Sequence, residues 1–139
     1  MTRGAWLLVG LLAAGALFTI APAELLTVPA AVQKLAYAIA IGERGQQEIG
    51  SGNVTRNNPG DITDNNGNLL SYDTLADGWA DLYHQVSLMF SGGSRYYWPG
   101  MTIDQMAQTY DGTSKWNDLA ANVAAVLGVS RSTRLVDIA

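Results

Sequence analysis

Glu43 stands at the C-terminal end of an apolar run, in A-I-A-I-G-E-R-G over residues 38–45, and Asp61 follows in R-N-N-P-G-D. Leu35, Ile39 and Glu43 are spaced by four, so a helix through them sets the carboxylate beside the stripe that faces a core. Two effects raise its pKa there. Partial burial disfavours the charged form, and the negative end of a helix dipole disfavours another negative charge. A carboxyl kept protonated near neutral pH is what a general acid for glycosidic cleavage needs. The plainer alternative is a solvated helix-end acid paired with neighbouring Arg44.

A second acid decides the type of cleavage. A retaining hydrolase needs its second carboxylate ~5 Å from the first, and an inverting one needs it further across the cleft. Asp61 and Asp64 are the nearby candidates, although Asp61 after Pro59-Gly60 also suits a side-chain bond within its own turn. Glu48 is a rival to Glu43 as the acid. Asn57 and Asn58 suit hydrogen bonds to acetamido groups, or equally the left-handed conformations of a tight turn. Tyr96, Tyr97 and Trp98 form an aromatic segment that either stacks on sugar rings or packs over the core. His84 reads as a surface or satisfied core histidine with no catalytic role.

The elements that position these groups are mostly helical. Val32, Leu35, Ala36, Ile39 and Ala40 predict an amphipathic helix over residues 30–42, started by Pro29. Residues 45–52 read as a mobile loop. Asn66-Gly67, between Ile62 and Leu69-Leu70, predicts a small hairpin in a polar region. Thr74 caps a long helix with the stripe Leu75, Trp79, Leu82, Tyr83, Val86, Met89 and Phe90, ending at Ser91-Gly92-Gly93. Thr102 and Gln105 form a capping box for a short helix bearing Ile103, Met106 and Ala107. Ser114 is expected to cap a helix bearing Trp116, Leu119, Val123 and Val126-Leu127, which Gly128 stops. A last turn starts near Ser132 or Thr133 and uses Leu135 and Ile138.

The 139 residues hold one domain and a short appendage. Residues 4–23 carry no charge and are long enough for a transmembrane helix. Arg3, the sole basic residue before Lys34, then places the N-terminus in the cytoplasm. The competing reading is a signal peptide cleaved after Ala21-Pro22-Ala23. Both export the rest of the chain, so residues 1–29 read as anchor and linker and residues 30–139 as the functional domain. All 12 acidic residues lie after Ala23, against seven basic ones. That balance argues against nucleic acid as a partner. The chain has no cysteine and one histidine, which excludes disulfides, thiolate metal sites and histidine-cluster metal sites.

A-I-A-I-G-E-R-G, the spacer G-S-G-N-V-T and R-N-N-P-G-D-I together resemble a phage and prophage branch of the lysozyme-like superfamily. The similarity continues through D-T-L-A-D-G-W-A-D-L-Y-H-Q-V, M-T-I-D-Q-M-A-Q-T-Y and W-N-D-L-A-A-N-V-A-A-V-L-G-V-S, covering residues 32–138. Gly42 and Arg44 depart from the plainer A-E-G of that pattern. The resemblance implies a mainly α, lysozyme-like α+β domain with a small polar β region, behind one N-terminal transmembrane helix. It implies Glu43 as the catalytic acid. A-Q-T-Y-D-G is similar to the A-x-x-Y-N-x-G segment of soluble lytic transglycosylases, which implies Tyr110 beside Glu43. The implied substrate is the glycan strand of peptidoglycan, with no cofactor; by their own chemistry Asn57, Asn58 and Tyr97, together with Tyr110, are the residues expected to bind it. One Glu suffices for the lytic transglycosylase route, in which the muramic acid N-acetyl group assists and a 1,6-anhydro product forms; Asp61 is the candidate partner if the route is hydrolytic. The implied setting is local opening of the cell wall by a phage-encoded, membrane-tethered enzyme. Two rivals stand beside it: a catalytically inactive virion or membrane protein that binds glycan, and a membrane-anchored scaffold using Tyr97 and Trp98 as its interface with other proteins.

Overall fold

The computed structural model describes residues 7–12, 16–20 and 28–138. These are mainly helical. The central element is α1 (Ala30–Arg44), with Pro29 at its N-cap holding φ at −58°. Its expected stripe is buried, and Ala38 is buried as well, because α1 packs against more than one partner helix. Leu35 and Ile39 are fully buried; each such side chain contributes about 1.5–3 kcal/mol of apolar burial.

Two long helices flank α1. One is α3 (Leu75–Ser91), in which the Asp77 amide donates to the Thr74 hydroxyl at 3.1 Å and Gly92 closes the C-terminus in the left-handed region. The other is α5 (Trp116–Leu127), which buries Leu119, Ala120, Val123 and Ala124. Val126 lies off that face and is exposed. The hydroxyl at the start of α5 is that of Thr113, which accepts from the Lys115 amide, rather than that of Ser114. Between them, α4 (Ile103–Tyr110) opens with the expected Thr102–Gln105 capping box. The C-terminal 3₁₀ turn (Leu135–Asp137) docks there, the Leu135 amide donating to the Met101 carbonyl at 2.8 Å.

Three regions differ from expectation. Residues 45–52 are not a loop: Gln46–Ser51 form a short helix, α2, pinned by buried Ile49. Gly45, at φ 85°, breaks the chain direction between α1 and α2, so the glycines punctuate this stretch instead of loosening it. The polar hairpin reduces to one bridge, Thr63 opposite Leu69, with the Leu70 amide donating to the Ile62 carbonyl at 2.9 Å.

The third difference is at the N-terminus. Where the sequence predicts one transmembrane helix, Leu7–Leu12 (β1) and Ala16–Ile20 (β2) pair antiparallel, Leu7 opposite Ile20 and Val9 opposite Phe18. Among the described residues no helix is long and apolar enough to cross a membrane. An unbroken apolar run has no periodicity to separate helix from strand, and Gly10 lowers the helical preference. Arg3, Ala21-Pro22-Ala23 and linker residues 24–27 lie outside the described residues.

Candidate active site

Glu43 is in the last turn of α1, half-buried, and faces an open cleft of about 800 Å³. That size suits a small ligand or a short oligomer segment. Asp61, Thr63, Gly67 and Leu69 line it from the polar segment after α2. Tyr110, Asp111, Gly112 and Thr113 line it from the end of α4 and the loop that follows, together with Lys115, Asp118 and Asn122. Gly42 permits the close approach of α5 at the floor, since a Cβ there would lie 2.7 Å from Leu119 Cδ1.

The segment 55–61 carries the strain of the site. Arg56, Asn57 and Asp61 hold φ values of 59°, 53° and 51° without being glycine. Such conformations cost about 1–3 kcal/mol each and persist only where the surroundings over-determine them. Here they do. Asn58 is fully buried and its amide is committed to the fold: Nδ2 donates to the carbonyls of Ile62 and Leu70, and Oδ1 accepts from the Ile62 amide. Asn57 Nδ2 donates to the Tyr72 carbonyl at 3.0 Å. The Tyr110 hydroxyl donates to the Gly60 carbonyl. On the α1 side, Arg44 donates from Nε to the Asn58 carbonyl at 3.1 Å and from its terminal nitrogen to the Thr55 carbonyl at 3.3 Å.

The result of this bracing is a carboxyl pair. Glu43 and Asp61 line the same cleft, and the Arg44 guanidinium lies 2.7 Å from Asp61 Oδ1. Burial pushes the Glu43 carboxyl up, the neighbouring Asp61 pushes it further, and Asp111 adds to this, so that it titrates at about 8. Asp61 is also raised by burial, against the opposing pull of Arg44. The Arg44 guanidinium 2.7 Å from Asp61 favours the ionised form there, so the proton that the two carboxyls share rests on Glu43. At neutral pH the site therefore offers one proton, on Glu43, to whatever lies in the cleft.

Glu43, Asp61 and Tyr110 thus come together, whereas the other expected residues do not join them. Burial and the nearby Glu43 charge hold the Tyr110 phenol well above its usual range, so it remains a donor. Asn58 is sealed inside, and the Asn57 amide is bonded to backbone. Tyr97 is half-buried against the core and not in the cleft lining, while Tyr96 and Trp98 are exposed. Glu48 accepts from the Thr55 amide at 2.9 Å and braces the loop from behind. His84 is exposed on α3. Asp64 accepts from the Asn66 and Asn68 amides, which makes it a turn residue.

Tyr110→Phe leaves the Gly60 carbonyl without its donor in a half-buried place. We expect a loss of about 1–2 kcal/mol in urea unfolding, with the midpoint lowered and the slope unchanged.

Sequence reasoning missed Arg44 as a link to the 55–61 segment, and Asp111 as a contributor to the field at Glu43. Arg44 was visible only as a neighbour of the acid. No protein-family model, no curated protein and no solved structure matches this chain.

Proposed function

We propose that this protein cleaves the glycan strands of peptidoglycan between the muramic acid and glucosamine units, as a lytic transglycosylase with Glu43 as acid and then base. One observation carries the reading. Glu43 is half-buried at the end of α1, opens on a cleft and is raised to about 8, so it holds a transferable proton at neutral pH. The lysozyme-like pattern of the sequence around it supports the same assignment.

The position of the second carboxylate favours the transglycosylase route. Asp61 lines the same cleft as Glu43 and is paired with Arg44. A Glu that serves as acid and then as base needs no second carboxylate across the sugar, and the part of Asp61 is to hold the proton on Glu43. Glu43 donates to the leaving glycosidic oxygen, the substrate N-acetyl group supports the oxocarbenium-like centre, and the resulting Glu43 carboxylate removes the proton of the 6-hydroxyl as the anhydro ring closes. The uncharged N-terminal run supports action outside the cytoplasm, close to a bilayer, and a phage or prophage origin fits the sequence resemblance.

The exposure of Tyr96 and Trp98, 62 % and 49 %, favours a second reading, glycan or protein binding without cleavage. Mass spectrometry of the products from purified peptidoglycan separates the readings. Anhydro-muropeptides are the expected result, reducing-end fragments mean hydrolysis, and no release by the folded protein means the binding reading.

A further inference from the structure

We infer that Arg44 is a positioning residue for the acid: its guanidinium fork holds the strained 55–61 segment so that the Asp61 carboxylate is fixed in the cleft beside Glu43. The inference rests on the proposed chemistry for its consequence in turnover, but its structural content stands apart from it. Arg44 is the next residue to Glu43, and its side chain is only 12 % exposed. Its donors meet the Asn58 and Thr55 carbonyls, and its terminal nitrogen forms an ion pair with Asp61 Oδ1 at 2.7 Å, three points on one segment. Glu48 Oε2 lies 3.8 Å from Nε and also accepts from the Thr55 amide, so the fork and α2 grip the same turn.

A planar fork with five donors makes such a multi-point grip possible, whereas an ammonium occupies one point at a time. The grip answers a specific need. Asp61 sits at φ 51°, a conformation that a free aspartate leaves readily, and its buried Oδ1 has no hydrogen bond and is compensated by the Arg44 charge. Remove the fork, and Asp61 relaxes away from Glu43.

The direction of one titration distinguishes positioning from simple proximity. Arg44 acts on Glu43 in two opposed ways. Its own positive charge lowers the Glu43 pKa, and this is the weakest of the influences there. Its hold on Asp61 keeps in place a larger influence, the Asp61 carboxylate, that raises it. The remaining groups facing Glu43 are Tyr110 and Asp111 from the end of α4, and Lys115 and Asp118 from α5. The Arg44 fork makes no bond to these groups, and among them only Tyr110 is tied to the 55–61 segment, through the Gly60 carbonyl.

The experiment follows the Glu43 carboxyl by carbon-13 NMR in the detergent-solubilised full chain, for wild type, Arg44→Gln, Asp61→Asn and the double variant. Positioning predicts that Arg44→Gln lowers the Glu43 midpoint, by roughly tenfold or more in proton affinity. It further predicts the opposite sign in the Asp61→Asn background, where only the direct effect of the charge remains and its loss raises the midpoint. A rise in both backgrounds means that Arg44 acts as a nearby charge alone, and no shift in either means that it only braces the fold. Both overturn the inference. Should Arg44→Gln fail to fold, Arg44→Lys keeps the charge and removes the fork, and the same fall is expected from it. A parallel peptidoglycan assay on wild type keeps the questions apart: an inactive wild type defeats the proposed function, while the titration still decides the role of Arg44.

Discussion

Glu43→Gln will cut product release from peptidoglycan by about 10²–10⁴-fold and at the same time make the protein more stable at alkaline pH. Both effects come from one proton. Gln keeps the shape of the acid and a donor toward Asp61, but it cannot give a proton to a leaving oxygen. The stability effect follows from linkage. The folded-state value of about 8 lies above the ordinary 4.5, so the native protein binds this proton more tightly than the unfolded chain does. The stabilisation due to protonated Glu43 is complete below about pH 4.5 and is lost as pH rises toward 8. Gln is the permanent counterpart of the protonated form. Thermal unfolding should thus give equal midpoints for the two proteins near pH 4 and a higher midpoint for the variant at pH 8, by about 4–8 °C for each 1 kcal/mol. An inactive variant without the alkaline gain would mean that Glu43 is not held protonated in the fold. A fully active one would remove Glu43 from the chemistry altogether.

The burial of the Glu43 carboxyl was legible in the sequence because local periodicity encodes it. The spacing of Leu35, Ile39 and Glu43 is enough to put the carboxylate at the edge of a buried face, and the expected burial is the largest cause of its shift. The caps at Thr74 and Thr102 are equally local, and both are made. What was not legible depends on contacts between segments far apart in the chain. Nothing in N-N-P-G-D tells which asparagine turns inward. Asn58 does, because it alone is placed to serve Ile62 and Leu70 together, and that removes it from any substrate. Composition misled over residues 45–52, where the glycines bracket a helical turn that Ile49 anchors. The reach of Arg44 to Asp61, and the contact of Asp61 with Glu43, arise only when the 55–61 segment is folded back on α1.

Gly78→Ala tests that folding-back most directly, and we expect a net loss of about 3 kcal/mol or more. In an exposed helix the change would be favourable by about 1 kcal/mol, since alanine is the better helix former. Gly78 lies instead in the buried face of α3, where the backbone of the turn passes against it. An added Cβ would stand 1.8 Å from the Asn57 carbonyl oxygen and 2.9 Å from Pro59 Cδ. Those atoms cannot swing aside as the end of a flexible side chain would. The turn must lift off α3, which loosens the Asn57 bond to Tyr72 and carries Gly60 and Asp61 with it. The thermal midpoint should fall by roughly 10–20 °C, and the Glu43 carboxyl should titrate nearer its ordinary value as Asp61 withdraws. Gly50→Ala in α2, where an added Cβ meets nothing within 4 Å, provides the contrast and should be neutral or stabilising by up to ~1 kcal/mol. A cost below about 1 kcal/mol for Gly78→Ala would mean that the turn rests on α3 loosely, and that the bonds of Asn58 and Arg44 alone suffice to bring Asp61 to the acid.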